Sequence, residues 1–126
     1  MKLANDSVSR YKRLEQKLSD ENYATEYSIS NTRIDYLKKT LHFLNKHGKV
    51  YLIRLPMHDQ LMQRQEKAVP DFEAKMISLS KEMQIPYKSF KGEANNYTYT
   101  DGSHLTSESA KKISKDIILW IKTHNK

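Results

Sequence analysis

Residues 50–55 (Val-Tyr-Leu-Ile-Arg-Leu) form a short apolar run closed off by Gly48 and Pro56. Its length and its β-branched and aromatic members suit a strand buried in a parallel sheet. Arg54 is the one polar residue inside it. On either side the hydrophobic period changes to that of a helix. Before the run, Ile34, Leu37, Leu41 and Leu44 share one face, Thr32 with Asp35 resembles a capping box, and Gly48 supplies a stop. After it, Pro70 precedes a second helix with the stripe Phe72, Met76, Leu79 and Met83. Ile85 to Phe90 then reads as a second strand, with Pro86 placing it at an edge or Pro86 among its first residues. A polar, Tyr-rich loop from Lys91 to Thr100 leads to a last helix. That helix opens near Thr106 or Ser107 and buries Ala110, Ile113, Ile117 and Trp120 or Ile121.

This order of helix, strand, helix, strand, loop and helix builds an α/β fold with a short parallel sheet. Two strands make an incomplete architecture, because a sheet this narrow does not easily serve helices on both faces. Residues 1–30 are expected to form an N-terminal helical arm and a polar linker, and residues 31–126 the α/β part. The arm places Val8, Tyr11, Leu14 or Glu15, and Leu18 at near-helical spacing, and the stretch from Asp20 to Ser30 is a connection.

With 126 residues the chain has room for one domain. It has 37% hydrophobic residues and 29% charged ones, enough apolar content for a folded core. No apolar run approaches the roughly 20 residues that span a bilayer, and Met1 to Arg10 lacks the apolar segment of a secretory signal. As written, the chain is expected to be soluble and unexported, with the compartment undefined. The absence of cysteine excludes disulfides, thiolate metal sites and a cysteine nucleophile. Lys and Arg number 22 against 15 Asp and Glu, a formal charge of +7, which raises the question of an anionic partner. These cations are spread along the chain without interleaved aromatics. Solvated helix faces explain them better than a nucleic-acid or anionic-polymer surface does.

The segment Tyr99-Thr100-Asp101-Gly102-Ser103-His104-Leu105-Thr106 carries the chemistry. A carboxylate that accepts from imidazole Nδ1–H fixes the tautomer and leaves Nε2 to take a proton from a hydroxyl. The spacing of Asp101 and His104, with Gly102 in a tight turn between them, can bring the two together beyond the carboxyl end of a strand. Open α/β sheets place their sites there. His58, just after Pro56, can line the same cleft and contact substrate, and Tyr97 and Tyr99 can form a wall of it. His42 and His47 read as structural or solvated near a helix end, and His124 as part of a frayed tail. A metal site drawn from His58, Asp59, Asp101 and His104 has no recognised ligand spacing, so no metal is expected.

The run from Thr32 to Trp120, with "HGKVYLIRLPMH", "MQIPYKSF" and "YTDGSHLTSESAKKISKDIILWI", resembles the C-terminal half of SGNH (GDSL-like) hydrolases. The version with Pro56-Met57-His58 and Asp101-Gly-Ser-His104-Leu is similar to bacterial members related to D-alanyl transfer and polysaccharide O-acylation. The resemblance implies a partial three-layer α/β/α, flavodoxin-like fold. It also implies a serine esterase or acyltransferase working through an acyl-enzyme on an acyl-ester or polysaccharide-type substrate, without cofactor. In that scheme His104 is the general base and Asp101 orients it.

The family's Gly-Asp-Ser nucleophile block and its two oxyanion blocks are not recognisable here. Asn5-Asp6-Ser7 has Asn in place of Gly and leaves no room for a first strand, so Ser7 reads as a helix cap rather than a nucleophile. Ser103 reads as a loop residue, and Asn31 as a capping residue rather than an oxyanion donor. The nucleophile is thus expected from a missing N-terminal half. The alternative is a truncated, non-catalytic module that binds a partner or pairs a sheet edge with a second copy.

Overall fold

The fold is seen in a computed structural model that describes residues 7–20 and 28–125. Asn5, Asp6 and residues 21–27 of the expected linker lie outside the described residues. Leu52–Arg54 (β1) and Tyr87–Ser89 (β2) pair in parallel, with Leu52 opposite Tyr87, Ile53 opposite Lys88 and Arg54 opposite Ser89. Both strands are shorter than their apolar runs because the ladder is short. Pro86 has no N–H and joins only through its carbonyl, which accepts from Leu52 N at 2.9 Å, and Phe90 N closes the other end on Arg54 O at 2.9 Å.

Successive strand side chains point to opposite faces, so β1 divides its residues between two cores. Leu52 and Tyr87 pack with Leu41, Met76, Leu79 and Ile85, a cluster built on α2 (Asn31–Asn45) and α4 (Phe72–Met83). Ile53 packs with Phe90, Tyr97 and Ile113, a cluster served by α5 (Ser107–His124). Neighbouring residues of β1 thus join two different clusters. The chain is a mostly helical α/β protein with a two-stranded parallel sheet.

The helix ends depart from the sequence expectations in instructive ways. Ser30, in extended backbone, caps α2 by accepting from Arg33 N at 3.4 Å, so the cap lies two residues before Thr32, and Asn31 is the first helical residue. Gly48 does not supply a left-handed stop: α2 ends at Asn45, Lys46 is still right-handed, and Gly48 N simply returns to Leu44 O at 3.1 Å. The left-handed cap occurs instead at Gln84, with φ 54°, after α4. In α5, capped by Thr106, Ala110 is exposed and its neighbour Ser109 is buried, because the Ser109 hydroxyl accepts from Thr98 N at 2.7 Å. His124 is no frayed tail. It ends α5 with its ring 4.6 Å from that of Trp120.

The sequence expectation contains no element between Pro56 and Pro70, yet Asp59–Ala68 form a helix, α3. Only Leu61 and Met62 among its residues are buried, so it has no apolar stripe of helical period to read. The first helix, α1 (Ser7–Ser19), buries Leu14 and leaves Val8, Tyr11 and Glu15 exposed.

Candidate active site

The segment between β2 and α5 turns back on itself. Tyr99 bridges Leu105 in antiparallel fashion, Thr100 N donates to His104 O at 2.8 Å, and Thr106 N donates to Thr98 O at 3.0 Å. At the tip, Gly102 takes φ +91°, a conformation that L side chains rarely adopt. Within this hairpin the two carboxylate oxygens of Asp101 have separate tasks. Oδ1 accepts from the backbone N–H groups of Ser103 (3.0 Å) and His104 (2.9 Å), which locks the turn. Oδ2 lies 2.8 Å from His104 Nδ1 and also accepts from Lys17 Nζ at 2.9 Å.

The structure thus brings the sequence-selected Asp101 and His104 together. The carboxylate is 19% exposed and the imidazole 76% exposed. Burial acts to raise the Asp101 pKa. The hydrogen bonds from Lys17, His104 and the two backbone N–H groups outweigh it and hold the carboxyl well below its usual range. A neutral imidazole donating from Nδ1 keeps Nε2 as acceptor, and an exposed ring leaves that atom open to a hydroxyl.

Ser103 is held on the other nitrogen. Its hydroxyl lies 3.3 Å from His104 Nδ1 and 3.3 Å from Asp101 Oδ1, and it also bonds Lys17, so it sits where it cannot give its proton to Nε2. Ser7 is the first residue of α1, and none of the His104 hydrogen bonds reaches it. Asn31 lies in a groove with Ile34 and Lys75 that shares no residue with the hairpin.

A cleft of about 250 Å³ opens beside the hairpin, with Ser7, Tyr11, His58, Asp59, Tyr99 and Gly102 among its lining residues. His58 is the N-cap of α3 rather than a loop residue: its Nδ1 accepts from Gln60 N at 3.3 Å, and its own backbone N–H donates to Gly102 O at 2.8 Å. Its ring stands edge-on to Tyr99 at 6.4 Å. Burial, with the nearby Asp59 charge, pushes the Tyr99 hydroxyl up to about 12. Tyr97 is likewise raised, by burial and by its hydrogen bond to Asp116 at 2.6 Å. Both tyrosines are therefore neutral donors at physiological pH. His58 and Tyr99 lie in this cleft, next to the Asp101–His104 pair through Gly102, while the His104 ring does not line it.

Sequence reasoning did not anticipate α1 at the site. Arg13 Nε donates to Thr100 O at 2.8 Å, Leu14 packs beneath Gly102, and Lys17 reaches Asp101. The near-helical spacing of Arg13, Leu14 and Lys17 puts them on one face, but nothing in the chain's pattern says which surface that face meets. Among the described residues no group of three or more His, Asp or Glu is placed to hold a metal ion. None of the described helices is long and apolar enough to cross a membrane.

A Cβ at Gly102 would lie 2.6 Å from Leu14 Cδ1 and 2.7 Å from Leu61 Cδ1. Gly102→Ala is expected to cost about 2–3 kcal/mol by combined backbone strain and overpacking. Gly92→Ala is the control: φ is +85° there and nothing lies within 4 Å of the added carbon, so strain alone, about 1 kcal/mol, applies. Urea unfolding of both variants measures the difference.

Fold and site together define a mixed α/β protein that presents an Asp–His pair on a hairpin between a parallel strand and the last helix. Comparison with protein-family models, curated proteins and solved structures finds no match to this chain.

Proposed function

We propose that the chain is the C-terminal, base-supplying part of an SGNH-like serine ester hydrolase or O-acyltransferase. The observation that carries this reading is the 2.8 Å contact between His104 Nδ1 and Asp101 Oδ2, with the imidazole exposed. In this reading His104 Nε2 takes the proton from a serine hydroxyl as that oxygen attacks the acyl carbonyl. It then returns the proton to the departing alkoxide, and the Asp101 carboxylate supports the imidazolium between the two steps. His58 and Tyr99 contact an acyl-ester or polysaccharide-type substrate in the adjoining cleft. The serine comes from an N-terminal half of the same domain, which would also extend the sheet beyond β1 into a three-layer α/β/α arrangement.

Two observations support the division of labour. No described serine hydroxyl bonds the free nitrogen of His104, and the outer edge of β1 is unpaired among the described residues. A fluorophosphonate probe tests the assignment. The isolated chain should show no labelling at Ser7, and the longer polypeptide this reading requires should be labelled at a serine outside residues 1–126. Labelling of Ser7 in the isolated chain would place a complete triad within it and refute the proposed split.

A second reading, a non-catalytic self-association module, draws on the same open edge. Leu52 and Arg54 direct their backbone groups toward β2, so Tyr51, Ile53 and Leu55 direct theirs outward, and Leu55 is 53% exposed. Sedimentation of the isolated chain distinguishes it, since a monomer at all concentrations removes this reading.

A further inference from the structure

We propose that Lys17 is a positioning residue for the proton of the Asp101–His104 pair, acting through Asp101 to keep the imidazole uncharged and ready as a base. This inference rests on the reading of His104 as a general base. It adds a residue from a distant part of the chain, 84 positions from Asp101.

Geometry separates charge from orientation here. Asp101 does not need Lys17 in order to point at His104, because its other oxygen is pinned by the Ser103 and His104 backbone N–H groups. Lys17 nevertheless places its ammonium on the same Oδ2 that serves the imidazole, and bonds the Ser103 hydroxyl beside it. The contact is built rather than incidental. Lys17 is 27% exposed, and α1 is fastened to the hairpin on the same face by buried Leu14 and by Arg13 on Thr100 O.

The electrostatic consequence has one sign. A carboxylate next to an imidazole favours the imidazolium, because its negative charge meets the positive one. An ammonium on the same oxygen offsets that charge and repels the imidazolium directly, so both effects of Lys17 favour the neutral ring. A base that must accept a proton at neutral pH has to be neutral beforehand. The groups that bear on the ring are Asp101 in the hairpin, Lys17 and Arg13 on α1, and, farther out, His58 and Asp59 at the start of α3, where His58 N bonds Gly102 O. Among the described residues, only Lys17 shares the carboxylate oxygen with His104.

The test needs no turnover and so is independent of where the nucleophile lies. Imidazole ¹⁵N shifts of the full chain are followed against pH for the wild type and for Lys17→Met, Lys17→Gln and Lys17→Arg, with His104→Gln assigning the signal. The Met and Gln variants should displace the His104 curve to higher pH by about half a unit or more, and the Arg variant should overlie the wild type. His42 and His47, exposed on the far helix α2 and the turn after it, are internal references that should not move. Coincidence of all four His104 curves would overturn the proposal. So would a Gln variant that matches the wild type, because a hydrogen bond rather than a charge would then suffice. If the Met variant loses the amide spectrum of the folded chain, the Gln and Arg pair decides alone.

Discussion

In the longer polypeptide that the proposed function requires, His104→Ala is expected to lower acyl transfer by at least about 10⁴-fold, whereas His42→Ala leaves it unchanged. The difference is one of position. His104 combines an exposed ring with a carboxylate on Nδ1, while His42 is an exposed residue on α2. Without the imidazole a serine hydroxyl has nothing nearby to take its proton. What remains is whatever oxyanion stabilisation and substrate binding contribute. The loss should fall on kcat more than on KM, since substrate contacts belong to the neighbouring cleft with His58 and Tyr99. Stopped-flow measurement of acyl-enzyme formation reads it directly. Equal losses in the two variants would remove His104 from the mechanism.

Arg54→Met should be the most damaging substitution for stability away from the site. The residue that looked out of place in an apolar strand is the hub of a half-buried network. Its guanidinium pairs with Glu66 at 2.8 Å and with Glu73 at 2.5 Å, and stacks over Phe72 at 4.6 Å. Lys91 joins Glu66 from the other side at 2.7 Å. Methionine keeps much of the stem but removes the only cation paired with Glu73 among the described residues and leaves Glu66 to Lys91 alone; each carboxylate is 22% exposed, and the cost is about 3 kcal/mol.

The pH dependence supplies the check. Burial acts to raise the pKa of Glu66 and of Glu73, but Lys91 and Arg54 beside Glu66, and Arg54 with the Ser89 and Tyr87 hydroxyls beside Glu73, leave both below the ordinary 4.5. A depressed carboxylate stabilises the fold above its unfolded pKa and loses that contribution as pH falls through the folded one. The gap between wild type and variant should therefore be full at neutral pH and shrink below about pH 4. Adding Glu66→Gln and Glu73→Gln to the variant should recover much of the loss, as measured by urea unfolding. If it recovers none, the damage lies in packing rather than in charge.

Much of this was legible in the chain itself, and the reasons are local. The run after Gly48 and the stripe Phe72, Met76, Leu79 and Met83 each obey a single period, so β1 and α4 could be read directly. Asp101 and His104 could be paired because three residues and a glycine bring them within reach whatever the rest of the fold does. What could not be read depends on contacts distant in sequence. The helix α3 has too few apolar residues to announce itself, and its buried Leu61 packs beneath Gly102, a residue of another element. The apolar pattern points to Ala110 rather than Ser109, whose burial goes with its bond to Thr98, a partner outside the helix. Lys17 reads as an ordinary solvated cation until the hairpin is placed against α1.

The split roles of the two oxygens of Asp101 tie shape to aim. The same carboxylate that closes the turn also grips the imidazole, so unravelling the loop and disorienting the ring are one event. Any motion that carries Thr98 to Thr106 as a body carries the ring with it, still pointing the same way within that frame.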